Sequence, residues 1–115
     1  MTIQNWSDSI RVVDLGDDPL FSDELNSLMD DLESRPADVV LNFGAVSFIN
    51  SSNVSKLLRL RKLMLMKSKR LMFCDVNTQV WGVFLVTGLD KIFEFTNDIA
   101  TALATLQLAE DEVGG

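Results

Sequence analysis

The 115-residue chain reads as an α/β domain, a small mostly parallel or mixed β-sheet with about four α-helices, and three observations carry that reading. Strand-like and helix-like runs alternate along the chain. The inner strand-like runs, "DVVLNF" and "RLMFCDV", carry consecutive apolar residues rather than strict alternation, as expected of strands covered on both faces or lying central in a parallel sheet. The connections are short, which favours parallel pairing of successive strands through right-handed crossovers.

The elements follow in order. "SIRVVDL" at 9–15 reads as the first strand. A helix is expected from Ser22 to Arg35, where Phe21, Leu25, Leu28, Met29 and Leu32 recur at helical spacing and Pro36 ends the run. "DVVLNF" at 38–43 is the second strand. The second helix runs from Ser51 to about Lys67, with Val54, Leu57, Leu58 and Leu65 as its apolar face and "LMLM" at 63–66 read as core. "RLMFCDV" at 70–76 is the third strand, expected to pair with 38–43. Asn77 is a plausible cap for a helix to Thr87, closed by Gly88 at a C′-like position. "KIFEF" at 91–95 is the last strand, and an Ala-rich helix from Asp98 to about Leu106 precedes an acidic tail at 108–115. Residues 1–115 thus read as one domain with its core at about 9–107.

Composition narrows the function. Seventeen acidic against ten basic residues give a net charge of −7, which disfavours nucleic acid as a partner. Seven of the ten bases (Lys56, Arg59, Arg61, Lys62, Lys67, Lys69 and Arg70) crowd into the second helix and its exit. They read as the solvated face of a helix or as a docking surface for an acidic partner. No histidine and no tyrosine are present, which removes a Ser-His-Asp triad, a Cys-His pair and the usual nitrogen ligands of zinc. The acidic pairs Asp17/Asp18 and Asp30/Asp31 read as solvated surface, and no glycine-rich phosphate loop exists. No catalytic residue, metal or cofactor is therefore expected, and the chain reads as a binding protein. The lone Cys74 reads as a buried small hydrophobe. The N-terminus lacks the pattern of a secretory signal, and no apolar stretch approaches the roughly 20 residues of a membrane span. The expected location is the cytoplasm, without membrane insertion.

The functional candidate is the loop after the second strand, because ligands and partners of such sheets favour the carboxyl ends of strands. It delivers Ser51 and Ser52 to a helix entrance. Either hydroxyl could cap the helix, for about 1 kcal/mol. The same place suits a phosphate, which would add roughly −1.5 to −2 charges to a contact surface.

Two motifs resemble the STAS domains, the family of sulfate transporters and anti-sigma factor antagonists. "VVLNFGAVSFINSSNVSKLL" at 39–58 is similar to the family's strand, loop and Asp-Ser-Ser/Thr-Gly helix start, and "VTGLDKIFEF" at 86–95 is similar to its small-Gly-Leu segment before the last strand. The resemblance implies a bacterial anti-sigma factor antagonist that works by partner switching. On this implication Ser51 is the phosphoacceptor, and Asn50, Ser51, Ser52, Asn53 and Val54 form the partner-binding surface. The implied partners are an anti-sigma factor serine kinase, bound by the unphosphorylated form and released on phosphorylation, and a phosphatase that resets the cycle. The alternative is a STAS interaction module, never phosphorylated, in a signalling scaffold or transporter-associated complex. Asn50 stands where the family has Asp and Asn53 where it has Gly; Asn keeps the capping capacity, removes a charge, and tolerates the unusual backbone angles that glycine would supply.

Overall fold

A computed structural model describes the backbone of residues 3–7 and 9–114 and the side chains of 9–108. The chain forms β1 (Ile3–Ser7), β2 (Ile10–Gly16), α1 (Leu20–Ser34), β3 (Asp38–Ala45), α2 (Ser51–Met66), β4 (Leu71–Cys74), α3 (Thr78–Thr87), a 3-10 turn (Leu89–Lys91), β5 (Glu94–Thr96) and α4 (Ile99–Gly114). The five strands lie in sequence order in one sheet. β2 to β5 are parallel, and β1 pairs antiparallel with β2. The two inner runs pair as expected, Val39 to Asn42 lying opposite Leu71 to Cys74.

Strand side chains alternate between faces, so a strand with helices on both sides must be apolar at every position. Val39, Leu41, Phe43 and Phe73 join a core with α1, α2 and α3. Val40, Met72 and Cys74 point the other way, against Ala102, Leu103 and Leu106 of α4. This two-sided cover is why β3 and β4 carry consecutive apolar residues, Val39 to Leu41 and Leu71 to Cys74. It also makes Cys74 inert: burial first, then the negative charges of Asp75, Asp98 and Asp14, push its thiol up to about 12. Without thiolate there is no nucleophile. Thiol reagents should therefore label the native protein at the rate of its unfolding and the denatured protein at once; rapid labelling of the native chain would show that the α4 side opens independently.

Four expectations need correction. β1 was not anticipated from the sequence. The strand expected at 91–95 shrinks to Glu94–Thr96, because Gly88, at φ 76, closes α3 and starts the 3-10 turn through Lys91. β4 ends at Cys74 rather than 76, since Asp75 takes φ 58 and leaves the ladder. The helix expected to stop near Leu106 stays helical to Gly114, its "LQLAEDEV" segment holding good helix formers and no proline.

On α2 the buried positions are Asn53, Leu57, Leu60, Leu63 and Met64. Leu58, Leu65 and Met66, read from the sequence as core, are instead 40%, 61% and 71% exposed. The sheet and α1 cover one stripe of α2, and the apolar residues of this helix outnumber the places in that stripe.

Candidate functional site

The loop between β3 and α2 is pinned from below and from both sides. Val46 and Ile49 are buried in the core, which leaves Ser47 and Phe48 between them on the outside, Phe48 being 60% exposed. The Val46 amide donates to the Phe43 carbonyl at 2.9 Å. On one flank the Ser47 amide donates to Asp17 Oδ1 at 2.8 Å. On the other, Asn77 Nδ2 donates to the Val46 carbonyl at 2.8 Å while Asn77 Oδ1 accepts from the Val80 amide at 2.8 Å. Asn77 is thus the α3 cap expected from the sequence and also a clamp on this loop. Just before the loop, at Gly44 near the end of β3, a β-carbon would stand 2.6 Å from Asp75 Oδ2, so a larger residue there would displace the Asp75 side chain.

The cap of α2 is neither serine. Asn50 and Asn53 cap the helix reciprocally: the Asn53 amide donates to Asn50 Oδ1 at 2.9 Å, and the Asn50 amide donates to Asn53 Oδ1 at 3.0 Å. Asn53 is 3% exposed and turns inward, where its Nδ2 donates to Asp18 Oδ2 at 2.9 Å. It occupies the third helical position, so no unusual backbone angle is required where the family carries glycine. Asp18 Oδ1 in turn accepts from the Ser22 hydroxyl at 2.7 Å and the Ser22 amide at 3.0 Å. One carboxylate therefore ties the start of α1 to the start of α2. The Asn53 hydrogen bond foremost, then those from Ser22, hold the Asp18 carboxyl below its usual value of 3.8. Because the folded-state pKa lies below the unfolded one, this tie stabilises the fold above pH 3.8 and is lost as pH falls through the lowered value.

With the asparagines committed, Ser51 and Ser52 are left exposed at the first two positions of α2. Their amides are among the helix-start donors that have no acceptor within the helix, and among the described residues neither their amides nor their hydroxyls find another partner. Val54 is half-buried against the core. Of the five residues expected at the partner surface, Asn50, Ser51 and Ser52 are therefore on the outer lip, Val54 is half-covered and Asn53 is inside. Asp17, Asp18 and Asn77 were not assigned to the site from sequence. The local signal for Asp18 was present in "DDPLFS", an acidic residue followed by proline and a hydroxyl at a helix start.

Asn53→Ala should remove both its cap bond and the Asp18 tie and destabilise the protein by about 1–2 kcal/mol. Ser51→Ala, which removes no hydrogen bond, should stay within about 0.5 kcal/mol of the parent. Urea denaturation of the two variants checks the contrast, and an equal loss in both would return the capping role to the serine.

Among the described residues no group of side chains could hold a metal ion, and no helix is long and apolar enough to cross a membrane. What the site presents is hydroxyls, free amides and an exposed aromatic ring, which suit contact with another molecule.

Solved structures that share this architecture include anti-sigma factor antagonists. RsbS of Moorella thermoacetica, in a substituted form, superposes with a TM-score of 0.81 at 14% identity, over 95% of this chain and 96% of its own. A proposed anti-sigma factor antagonist of Thermotoga maritima gives 0.79 at 14% identity, covering 91% and 92%. The anti-sigma factor antagonist SpoIIAA in its unphosphorylated form gives 0.68 at 15% identity, covering 98% and 96%. At these identities the likeness is one of fold. Comparison with curated protein sequences finds no match. The STAS domain family matches residues 12–102, most of the chain, and the protein belongs to that family.

Proposed function

We propose that this protein is an anti-sigma factor antagonist of the partner-switching type, acting in the cytoplasm with Ser51 as its phosphoacceptor. The observation that carries the proposal is the state of the α2 entrance. Asn50 and Asn53 complete the cap between themselves, so Ser51 is exposed with two free amides beside it and no structural task to perform. A phosphate there would sit against the positive end of a helix and would not disrupt it. Its effect would fall on the contact surface, where roughly −1.5 to −2 charges would join Asp17 and Asp18 and repel a partner docked through acidic or apolar groups. In this reading the unphosphorylated protein binds an anti-sigma factor serine kinase through Asn50, Ser51, Ser52 and the rim of Val54, with Asn53 holding them from inside. Phosphorylation releases the kinase, and a phosphatase restores the contact. The protein is a binding partner and not a catalyst.

Incubation with the cognate kinase and ATP should place one phosphate, mapped by mass spectrometry to Ser51 and not to Ser52. Ser51→Asp should weaken kinase binding, while Ser51→Ala should bind and resist release. If Ser51 stays unmodified and the two variants bind alike, the switch is wrong. The reading that then remains is a constant interaction module in a signalling scaffold or transporter-associated complex. The many ties that fix the loop favour that alternative, since a rigid surface can dock without modification.

A further inference from the structure

We infer that the outer face of α2 is the docking site for an acidic, apolar-faced helix of a protein partner. Ser51, Ser55, Leu58, Lys62 and Leu65 follow one another at spacings of four, three, four and three, so they form a single stripe along the helix. All five are exposed. Leu58 and Leu65 are 40% and 61% exposed, and the seven-residue step from one to the other spans about 10 Å of axis, the repeat at which a second helix presents its own apolar side chains. Beside Leu65, a groove of about 180 Å³ runs between α2 and the approach to β5, lined by Arg61, Met64, Leu65, Leu71, Ile92 and Phe93 among others.

Charge decides the chemistry of the occupant. In a chain of net charge −7, only part of the positive charge on α2 and its exit is spent internally. Among the described residues the ion pairs are Arg11–Asp31, Arg35–Asp31, Lys67–Glu33 and Arg70–Glu94. Lys56 acts on Asp18. Among the described residues Arg59, Arg61, Lys62 and Lys69 form no ion pair, and the first three flank or lie on the leucine stripe. A helix with leucines at seven-residue spacing between glutamates would satisfy both features. A polyanion such as nucleic acid or an anionic membrane would meet the same cations but also the repulsion of the whole molecule. A second copy offers acids on α1, but the exposed part of that helix carries only Leu20 as a large apolar residue. Ser51 begins the stripe, so a phosphate there would face the same acidic helix. That identification of the docking face with the switched contact rests on the phosphoacceptor reading of Ser51; the docking does not.

The test is a titration of the full chain, labelled with nitrogen-15, with a synthetic amphipathic helix of glutamates and seven-spaced leucines. Controls are a scrambled peptide of equal composition and a counterpart with lysine for glutamate. Saturable shifts confined to residues 55–66 and Ile92, with at least about tenfold weaker binding of both controls, are expected. Leu58→Ser with Leu65→Ser should cost about tenfold in affinity, with the thermal midpoint nearly unchanged because both side chains are exposed. Equal binding of the scrambled peptide, shifts elsewhere, or the same shifts from phosphatidylserine vesicles or from self-association would each overturn the inference. Ser51→Asp adds the link to the switch: weaker peptide binding supports it, and unchanged binding removes it. A Ser51 that its kinase never modifies would sink the switch and leave the peptide result standing.

Discussion

Leu57→Asp should leave the protein unfolded at room temperature. Leu57 is fully buried between the sheet and the other helices of its face. An aspartate there forfeits the apolar burial and strands a carboxylate among buried apolar side chains. The combined cost exceeds about 4 kcal/mol, a large part of the stability of a domain this size. The neighbouring change Leu58→Asp is the control. Leu58 points outward, and its replacement should stay within about 0.5 kcal/mol of the parent. Circular dichroism melts of the pair read out which residue faces the core. If Leu58→Asp were the one to unfold, the rotation of α2 described above would be wrong by about one residue, and the docking stripe would go with it.

Phe73→Ala should cost about 3–5 kcal/mol. Phe73 lies in β4 with its ring 4.5 Å from Phe93 in a stacked pair, 5.0 Å from Phe43, 5.3 Å from Phe95 and 5.7 Å from Phe84. Those rings come from two neighbouring strands, from α3 and from the approach to β5, so the cavity left by alanine would open at the junction of all of them. Phe73→Leu keeps most of the volume and should lose only about 1–2 kcal/mol. Chemical denaturation of both variants measures the difference, and a cost for alanine no larger than that for leucine would mean that the aromatic cluster collapses freely around the gap. Phe43 links this cluster to the functional loop, since its carbonyl accepts the Val46 amide. The alanine variant should therefore also loosen the α2 entrance, seen as faster amide exchange at Val46.

The two corrections on α2 share a cause. The sequence places Val54, Leu57, Leu58 and Leu65 on one apolar face, but an apolar residue records only that burial would be favourable, and exposed apolar surface is ordinary on proteins. The width of the covered stripe is set by what packs on the helix. Here the sheet and α1 take Leu57, Leu60, Leu63 and Met64 and leave Leu58, Leu65 and Met66 outside. The capping error is of the same kind. Ser51, Ser52 and Asn50 are comparable caps by propensity. Asn50 wins because Val46 and Ile49 anchor the loop so that the chain enters the helix one residue earlier, with Asn53 placed to return the bond.

By itself the sequence determined the inner strands, the four helices, the cap of α3 at Asn77, its stop at Gly88, and the position of Ser51 at a helix entrance beyond a strand. Each of these is encoded locally, by apolar period, by a cap residue or by a glycine that takes a left-handed turn without strain. Only the tertiary structure decided that β1 joins the sheet, that Asp17, Asp18 and Asn77 clamp the loop, and that Asn53 turns inward while Ser51 stays out. Apart from the β1–β2 hairpin, these rest on contacts between residues about 30 apart in the chain, as Asp17 is from Ser47 and Asn77 from Val46. No local pattern carries these long-range bonds, because each exists only once the sheet has brought two loops to the same edge.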